Sequence, residues 1–388
     1  MGRILIFTGK GGVGKTSVAA AHAWHSSREG KKTLLVSTDM AHNISDIFQI
    51  SIGKEIKEAA PDLYLLEIDP GYVLENDFRE MTEAFTRLFS VTGMSDEETL
   101  SMPGMDELFA LLKIMDIYKS QEYERIIVDC APTGETLAFL KFPELLSWYM
   151  EKFFPVGKVA MRILSPVSRA VFKVELPGRK AMTDIERMYM KLIGLQELLK
   201  DREVTSVRLV CMPEKMVVEE TKRSYMYMNL YNFAVDGLYI NRILPDDIEN
   251  EFFNDWIRIQ ERYINELEEV FAGMPVYHIP WFDTDLNGTE GIARIDNEAL
   301  AGKDIFAVHE TLAGEEYRKT EEGYVLKVHL PFAAKDGVDL HESDKDVIIK
   351  IGNFKRNIPK PDVLRRMGIS SAKFQEETLL ITFSEKEG

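Results

Sequence analysis

The stretch Gly9-Lys10-Gly11-Gly12-Val13-Gly14-Lys15-Thr16 constrains this chain more than any other. It follows an apolar run, Ile4 to Phe7, that reads as a buried strand, and it precedes an Ala-rich segment, Ser17 to Glu29, that reads as a helix. Strand, glycine loop and helix in that order read as a phosphate-binding loop. Glycines let backbone N–H groups converge on an anion, Lys15 can reach the terminal phosphates, and Thr16 offers a hydroxyl to Mg²⁺. A glycine-rich turn that binds nothing is the alternative, and the agreement of motif and context speaks against it. Lys10, a second lysine inside the loop, is not needed for phosphate binding within one subunit.

A second strand, Lys32 to Ser37, follows the helix, and a crossover of that length pairs the two strands in parallel. The pattern repeats at Leu63–Ile68, Arg125–Asp129, Val204–Cys211, Val235–Ile240 and Pro275–Ile279. Helices are expected from Asp69-Pro70 to about Lys119, from Phe142 to about Lys200, from Pro213 to about Tyr231 and over Asp247–Phe271. From about Glu316 the period changes to two: Tyr324, Leu326, Val328 and Leu330 alternate with other residues, as do Val347, Ile349 and Ile351. The expected fold is therefore α/β, a phosphate-loop NTPase with a doubly wound, mostly parallel sheet and a helical insertion, plus a small C-terminal all-β sandwich.

Ligands in such sheets bind beyond the carboxyl ends of the strands, and three polar positions fall there. Asp39, just after the second strand, could orient or deprotonate a water attacking the γ-phosphate, or could be a turn or helix-capping Asp; position alone leaves both open. Asp129 ends an apolar strand, where an acid in a phosphate-loop protein supports Mg²⁺, and the turn Cys130-Ala131-Pro132-Thr133-Gly134 beyond it could sense the γ-phosphate. Asn241 ends another strand, where it could hydrogen-bond a base or simply make a turn.

The net charge of −17 over 388 residues argues against general nucleic-acid binding, because a polyanion is repelled. Two cysteines, Cys130 and Cys211, make neither a disulfide framework nor a cysteine-based zinc site and read as small core residues. The first strand begins within three residues of the N-terminus and no run approaches the ~20 apolar residues of a membrane span. A cytoplasmic protein is expected. One stretch departs from the acidic background: Trp148 to Val174 is apolar and carries Lys152, Lys158, Arg162, Arg169 and Lys173 against Glu151 alone. It could meet a membrane surface, receive an apolar partner, or pack on its neighbours. His329 and His341, in the tail, have no cluster of ligand-type partners and are expected on the surface.

The loop at 9–16 resembles the deviant phosphate loop of the MinD, ParA and nitrogenase iron protein class. Asp39-Met40-Ala41-His42-Asn43-Ile44-Ser45-Asp46, Asp129-Cys130-Ala131-Pro132-Thr133-Gly134 and Pro103-Gly104-Met105-Asp106-Glu107 narrow the likeness to the arsenite-pump ATPase family, which includes targeting factors for tail-anchored membrane proteins. The tail resembles the α-crystallin-like domain that some members append. The resemblance implies ATP and Mg²⁺ as cofactors, with Gly11, Gly12, Val13, Gly14, Lys15, Thr16 and Ser17 around the phosphates and Thr16 and Asp129 at the metal. It implies that Asp39 positions the lytic water, that Thr133 and Gly134 lie in the second switch, that Asn241 contacts adenine, and that Lys10 crosses a homodimer interface to the partner's nucleotide.

The eukaryotic targeting factors pair subunits through zinc held by a Cys-x-x-Cys, and the corresponding stretch here, Pro245 to Trp256, has no cysteine. Any dimer must use other contacts. The chain is accordingly expected to comprise an ATPase domain at 1–312, with a methionine-rich helical subdomain for apolar client polypeptides at about 81–118 and 142–200, and a β-sandwich at 316–388. Expected is an ATP-hydrolysing dimeric switch for such clients, including tail-anchored membrane proteins. An ATP-independent holdase, a peripheral membrane-surface ATPase and an arsenite-pump subunit are the other readings.

Overall fold

Strands of a parallel sheet are buried on both faces, and the apolar runs of this chain fold accordingly. The computed structural model describes residues 2–39, 43–80, 83, 105–130, 136, 140–141, 184–248, 250–309, 314–320 and 323–385. Eight strands, β1 (Arg3–Thr8), β2 (Thr33–Ser37), β3 (Lys57–Ala60), β4 (Leu63–Glu67), β5 (Arg125–Asp129), β6 (Thr205–Cys211), β7 (Val235–Ile243) and β8 (Val276–Pro280), form one sheet. Side by side they run β3-β4-β2-β5-β1-β6-β7-β8, and only β3 is antiparallel to its neighbour. Its sequence, Lys57-Glu58-Ala59-Ala60, has no apolar alternation, which left no strand signal to read. Helix α1 (Lys15–Arg28) carries the chain from β1 to β2 past the intervening β5. The strand order turns around at that point, and ligands of such sheets bind beyond the carboxyl ends of the strands there, here β1, β5 and β2.

The other described helices are α2 (Asn43–Phe48), α3 (Pro70–Asn76), α4 (Met105–Ser120), α5 (Asp184–Lys200), α6 (Lys215–Leu230), α7 (Glu251–Val270) and α8 (Gly288–Ile295), the last continuing into a π-turn at Asp296–Leu300. Small residues, Ala19, Ala20, Ala21 and Ala23, are fully buried on α1 and let it lie close to the sheet. The structure corrects one part of the expected client groove. In α4, Met105, Leu108, Phe109, Leu111, Leu112 and Met115 are all buried, so its methionines are core. Most of residues 81–104, and all of 142–183 with the basic apolar stretch 148–174, lie outside the described residues. Among the described residues no helix is long and apolar enough to cross a membrane.

The C-terminal strands, β9 (Glu315–Thr320), β10 (Gly323–His329), β11 (Val338–Glu342), β12 (Asp346–Ile351), β13 (Phe354–Pro359), β14 (Met367–Gln375) and β15 (Thr378–Glu385), make a four-stranded sheet β14-β15-β10-β9 and a three-stranded sheet β11-β12-β13. The alternating residues meet as the period predicts: Leu326 pairs with Ile381 and Val328 with Leu379, and all four are buried with Val347 and Ile349 of the other sheet. His329 is not on the surface as expected. It is buried where β10 ends, its N–H donating to the Gly314 carbonyl of the linker, whereas His341 is exposed.

This module docks on α6. The Tyr227 and Phe354 rings lie 3.8 Å apart between centroids, the Tyr231 hydroxyl donates to the Lys355 carbonyl at 3.1 Å, and Arg356 donates to the Leu230 carbonyl at the helix end. Arg356 is buried and pairs with Glu315 at 2.7 Å, so the contact is a desolvated one.

Candidate nucleotide site

The glycines of the loop are fixed by what lies behind them. A side chain at Gly9 would place its Cβ 2.1 Å from the Val210 carbonyl oxygen on β6. At Gly14, φ is +91° and a Cβ would lie 2.3 Å from Asn241 Nδ2. Gly14 is the residue before α1, which has neither a side-chain cap nor an acid in its first turn. An uncapped helix start presents N–H groups with no intrahelical partner, and the macrodipole adds positive potential there. Lys15 is buried, with its ammonium 3.4 Å from the Lys10 carbonyl oxygen. The loop thus offers converging donors and one cation to an anion. Among the described residues the Lys10 side chain makes no hydrogen bond or ion pair.

Strand register brings the two acids to this loop. Asp129 lies level with Phe7 of β1 on one side and with Ser37 of β2 on the other. The Thr38 N–H donates to the Asp129 carbonyl at 3.1 Å, which holds the start of the Asp39 segment against β5. Asp129 is 1% exposed, and among the described residues neither carboxylate oxygen has a hydrogen bond of ordinary geometry. Burial pushes its carboxyl up to about 7; the nearby Thr16 hydroxyl and Lys15 ammonium favour the charge, and Asp39 opposes it. A buried carboxylate short of donors beside a hydroxyl is a donor set that suits a hard divalent cation. The residues fit Mg²⁺, with Thr16 and Asp129 as the groups that would hold it.

Asp39 is constrained from both ends. Its N–H donates to Ser37 Oγ at 3.1 Å, and its Oδ2 accepts from Asn43 Nδ2 at 3.1 Å. Asn43 is a site residue that the sequence reading quoted inside a motif but did not single out. Glu67, at the end of β4, was read only as part of a strand; its Oε1 accepts the Ser45 N–H and its Oε2 the Ser45 hydroxyl, both at 2.8 Å. An acid ending a strand and leading into Asp69-Pro70 was the available signal. Asp69 itself caps α3, accepting from the Tyr72 N–H at 2.9 Å. Thr133 and Gly134 lie outside the described residues, while Thr136 just beyond them is buried and accepts from the Thr8 hydroxyl at 2.9 Å.

Asn241 is brought to the loop by β7. Its Nδ2 donates to the Val13 carbonyl at 2.8 Å, and its Oδ1 accepts from the Arg242 N–H at 2.9 Å. Two residues earlier on the same face, Tyr239 reaches α1. The His22 ring contacts the Val18 carbonyl through Nδ1 at 2.7 Å and the Tyr239 hydroxyl through Nε2 at 2.8 Å. A carbonyl only accepts, so Nδ1 carries the proton and Nε2 accepts from Tyr239. Burial holds this imidazole neutral, down to about 3. Behind Tyr239 lies a buried ion pair, Arg208 Nε to Asp236 Oδ1 at 2.8 Å. Strand β7 therefore grips both the phosphate loop and its helix.

Residues 2–300 match the family model described as anion-transporting ATPase, and residues 321–383 match an HSP20-like domain found in that family. The chain belongs to the anion-transporting ATPase family. A protein of Chlorobaculum tepidum, named as a candidate arsenical pump-driving ATPase, is 34% identical over all of this chain and 97% of its own length. A similarly named protein of Aquifex aeolicus is 29% identical over 98% of this chain and its own full length. ATPase get3 of Pyrenophora tritici-repentis is 30% identical over 75% of this chain and 89% of its own. Both the sandwich and the sheet thus fall in one family architecture, and the chain is an ATPase. The family implies nucleotide with Mg²⁺.

Proposed function

We propose that this ATPase is a homodimeric nucleotide switch that binds apolar client polypeptides, such as the membrane segments of tail-anchored proteins, and releases them according to its nucleotide state. The observation that carries the reading is Lys10. It lies in the phosphate loop with a side chain that finds no partner among the described residues, while the Lys15 ammonium turns back onto the loop, 3.4 Å from the Lys10 carbonyl oxygen. A cation so placed suits the nucleotide of a second copy.

In the mechanism, loop N–H groups from Gly11 to Ser17 and the Lys15 ammonium bind the phosphates and neutralise charge as it develops on them. Thr16 and Asp129 would hold Mg²⁺, which would supply further charge neutralisation on the phosphates. Asp39 orients the attacking water, and Lys10 of the partner completes the site. Asn241 holds the loop at Val13 and, in this reading, would meet the base. The stretch corresponding to the zinc-binding turn of the eukaryotic factors ends in α7, where Phe252, Trp256 and Ile259 are exposed at helical spacing, 69% exposed in the case of Phe252. An apolar patch of that kind suits contact with a second copy.

Metalloid transport is disfavoured. Cys130 and Cys211 are fully buried, and burial pushes the Cys130 thiol up to about 12 and Cys211 higher still, whereas soft metalloids need accessible thiolates. The test is Lys10→Ala: ATP should still bind while hydrolysis, or nucleotide-dependent closure of the dimer, is lost. Wild-type behaviour of that variant would sink the dimeric switch, and client capture indifferent to nucleotide would sink the client role.

A further inference from the structure

We infer that Glu67 is a positioning residue for hydrolysis, acting on Asp39 through the first turn of α2. The inference rests on the reading of Asp39 as the residue that orients water. Glu67 is the last residue of β4 and lies level with Ser37, the last residue of β2. It is only 5% exposed, and a carboxylate that deep must be supplied with donors. Ser45 supplies two of them, its N–H and its hydroxyl each meeting a separate carboxylate oxygen at 2.8 Å. A two-point contact fixes orientation as well as distance.

Ser45 stands two residues after Asn43, in the same first turn of α2. Asn43 in turn holds Asp39 Oδ2 at 3.1 Å, and Asp39 is anchored from the other side by Ser37 Oγ. The ring closes through the sheet, since the Ile68 N–H donates to the Ser37 carbonyl at 3.0 Å, one residue after Glu67. Every link from Glu67 to Asp39 is thus a hydrogen bond or a backbone step of two residues. The Glu67 clasp thus ties the turn that carries Asn43 to the end of β4. A displacement of about 1 Å at a group that orients a nucleophile costs on the order of a hundredfold in rate.

The alternative is that Glu67 only caps a short helix. A cap would be felt as lost stability with nucleotide affinity and turnover falling together. A positioning residue lowers kcat and leaves KM for ATP nearly unchanged, because the phosphate loop is on another strand.

The experiment is steady-state ATP hydrolysis by the full chain as wild type, Glu67→Gln, Asp39→Asn and the double variant. Glu67→Gln keeps the shape and loses one acceptor; kcat should fall roughly ten- to a hundredfold with KM within about threefold. In the Asp39→Asn background the same change should cost nothing further, since its effect passes through Asp39. Should Glu67→Gln fold poorly, Ser45→Ala removes only the hydroxyl contact and should show a smaller loss, restored by Ser45→Thr. Wild-type kcat in Glu67→Gln, a rise in KM that accounts for the loss, or full additivity with Asp39→Asn would each overturn the inference. If Asp39→Asn itself hydrolyses at the wild-type rate, the reading of Asp39 falls; if it is impaired while Glu67→Gln keeps wild-type kcat, only the role of Glu67 falls.

Discussion

Removing the charge at Asp129 should trade activity for stability, with a pH signature. Its carboxyl is raised from 3.8 to about 7, mainly by burial. The folded state therefore holds a proton that the unfolded state has already released between those values, and stability without nucleotide falls as pH rises through that window. At ~1.4 kcal/mol per unit, the full shift costs about 4 kcal/mol above pH 7 and about 2 kcal/mol at pH 5. Asp129→Asn removes the cost at every pH and adds a packing change that does not depend on pH. In denaturant unfolding without Mg²⁺ or nucleotide, the stability of the variant relative to wild type should grow by about 3 kcal/mol from pH 5 to pH 8. Mg²⁺-dependent hydrolysis should be lost in the same variant. A stability difference that stays flat between pH 5 and 8 would refute the buried-charge reasoning, and retained hydrolysis would refute the metal assignment.

Tyr239→Phe removes the hydroxyl that donates to His22 Nε2 and leaves a buried acceptor unpaired, so unfolding free energy should drop by about 1–3 kcal/mol, read from the urea midpoint at constant slope. An unchanged midpoint would show that the contact between β7 and α1 is not stabilising. His25 pairs with Asp296 at 2.5 Å, and that hydrogen bond raises its pKa above 6.5. A raised histidine stabilises below about pH 6.5 and loses that contribution as pH rises through the folded value, so His25→Gln should flatten the decline in thermal midpoint between pH 6 and 8. Equal pH slopes in the two proteins would refute it. Arg356→Met leaves the partly buried Glu315 without its partner, and about 3 kcal/mol of stability should be lost. Adding Glu315→Gln should recover much of the loss, and no recovery would mean that the ion pair does not tie β13 to β9.

Legibility followed the length scale of each signal. β5 ends at Asp129 where the apolar run ends, and the glycines of the loop announce a backbone that must approach Val210 and Asn241. Such features are local in sequence. The period-two tail was equally readable, because each inward residue of β10 and β15 is apolar in turn. Relations across the sheet were not. Tyr239 and His22 are 217 positions apart, and neither Asp236 nor Arg208 shows in the sequence that it is buried. The methionines of α4 could be read as core or as client surface, since a helix stripe looks the same whether it faces a sheet or a client, and their burial decides for core. Asn43 and Glu67 were missed because polar residues beside a strand end look alike until register selects among them.

That selection has a physical consequence at the site. Ser37, Glu67 and Asp129 end three neighbouring strands at one level of the sheet, yet they meet different fates. Glu67 receives two donors from Ser45, whereas Asp129 among the described residues receives no hydrogen bond of ordinary geometry and is held largely in check by burial. The first carboxylate is supplied with donors by the protein itself and can serve as a fixed point. The second is not, and binding of a cation would relieve it. A site built with one satisfied and one unsatisfied acid couples nucleotide binding to stability, since a ligand that binds only the folded state stabilises it in proportion to the logarithm of its concentration. The same asymmetry gives Asp39, which lies between them, a rigid support on the Glu67 side and a charge on the Asp129 side that changes with occupancy.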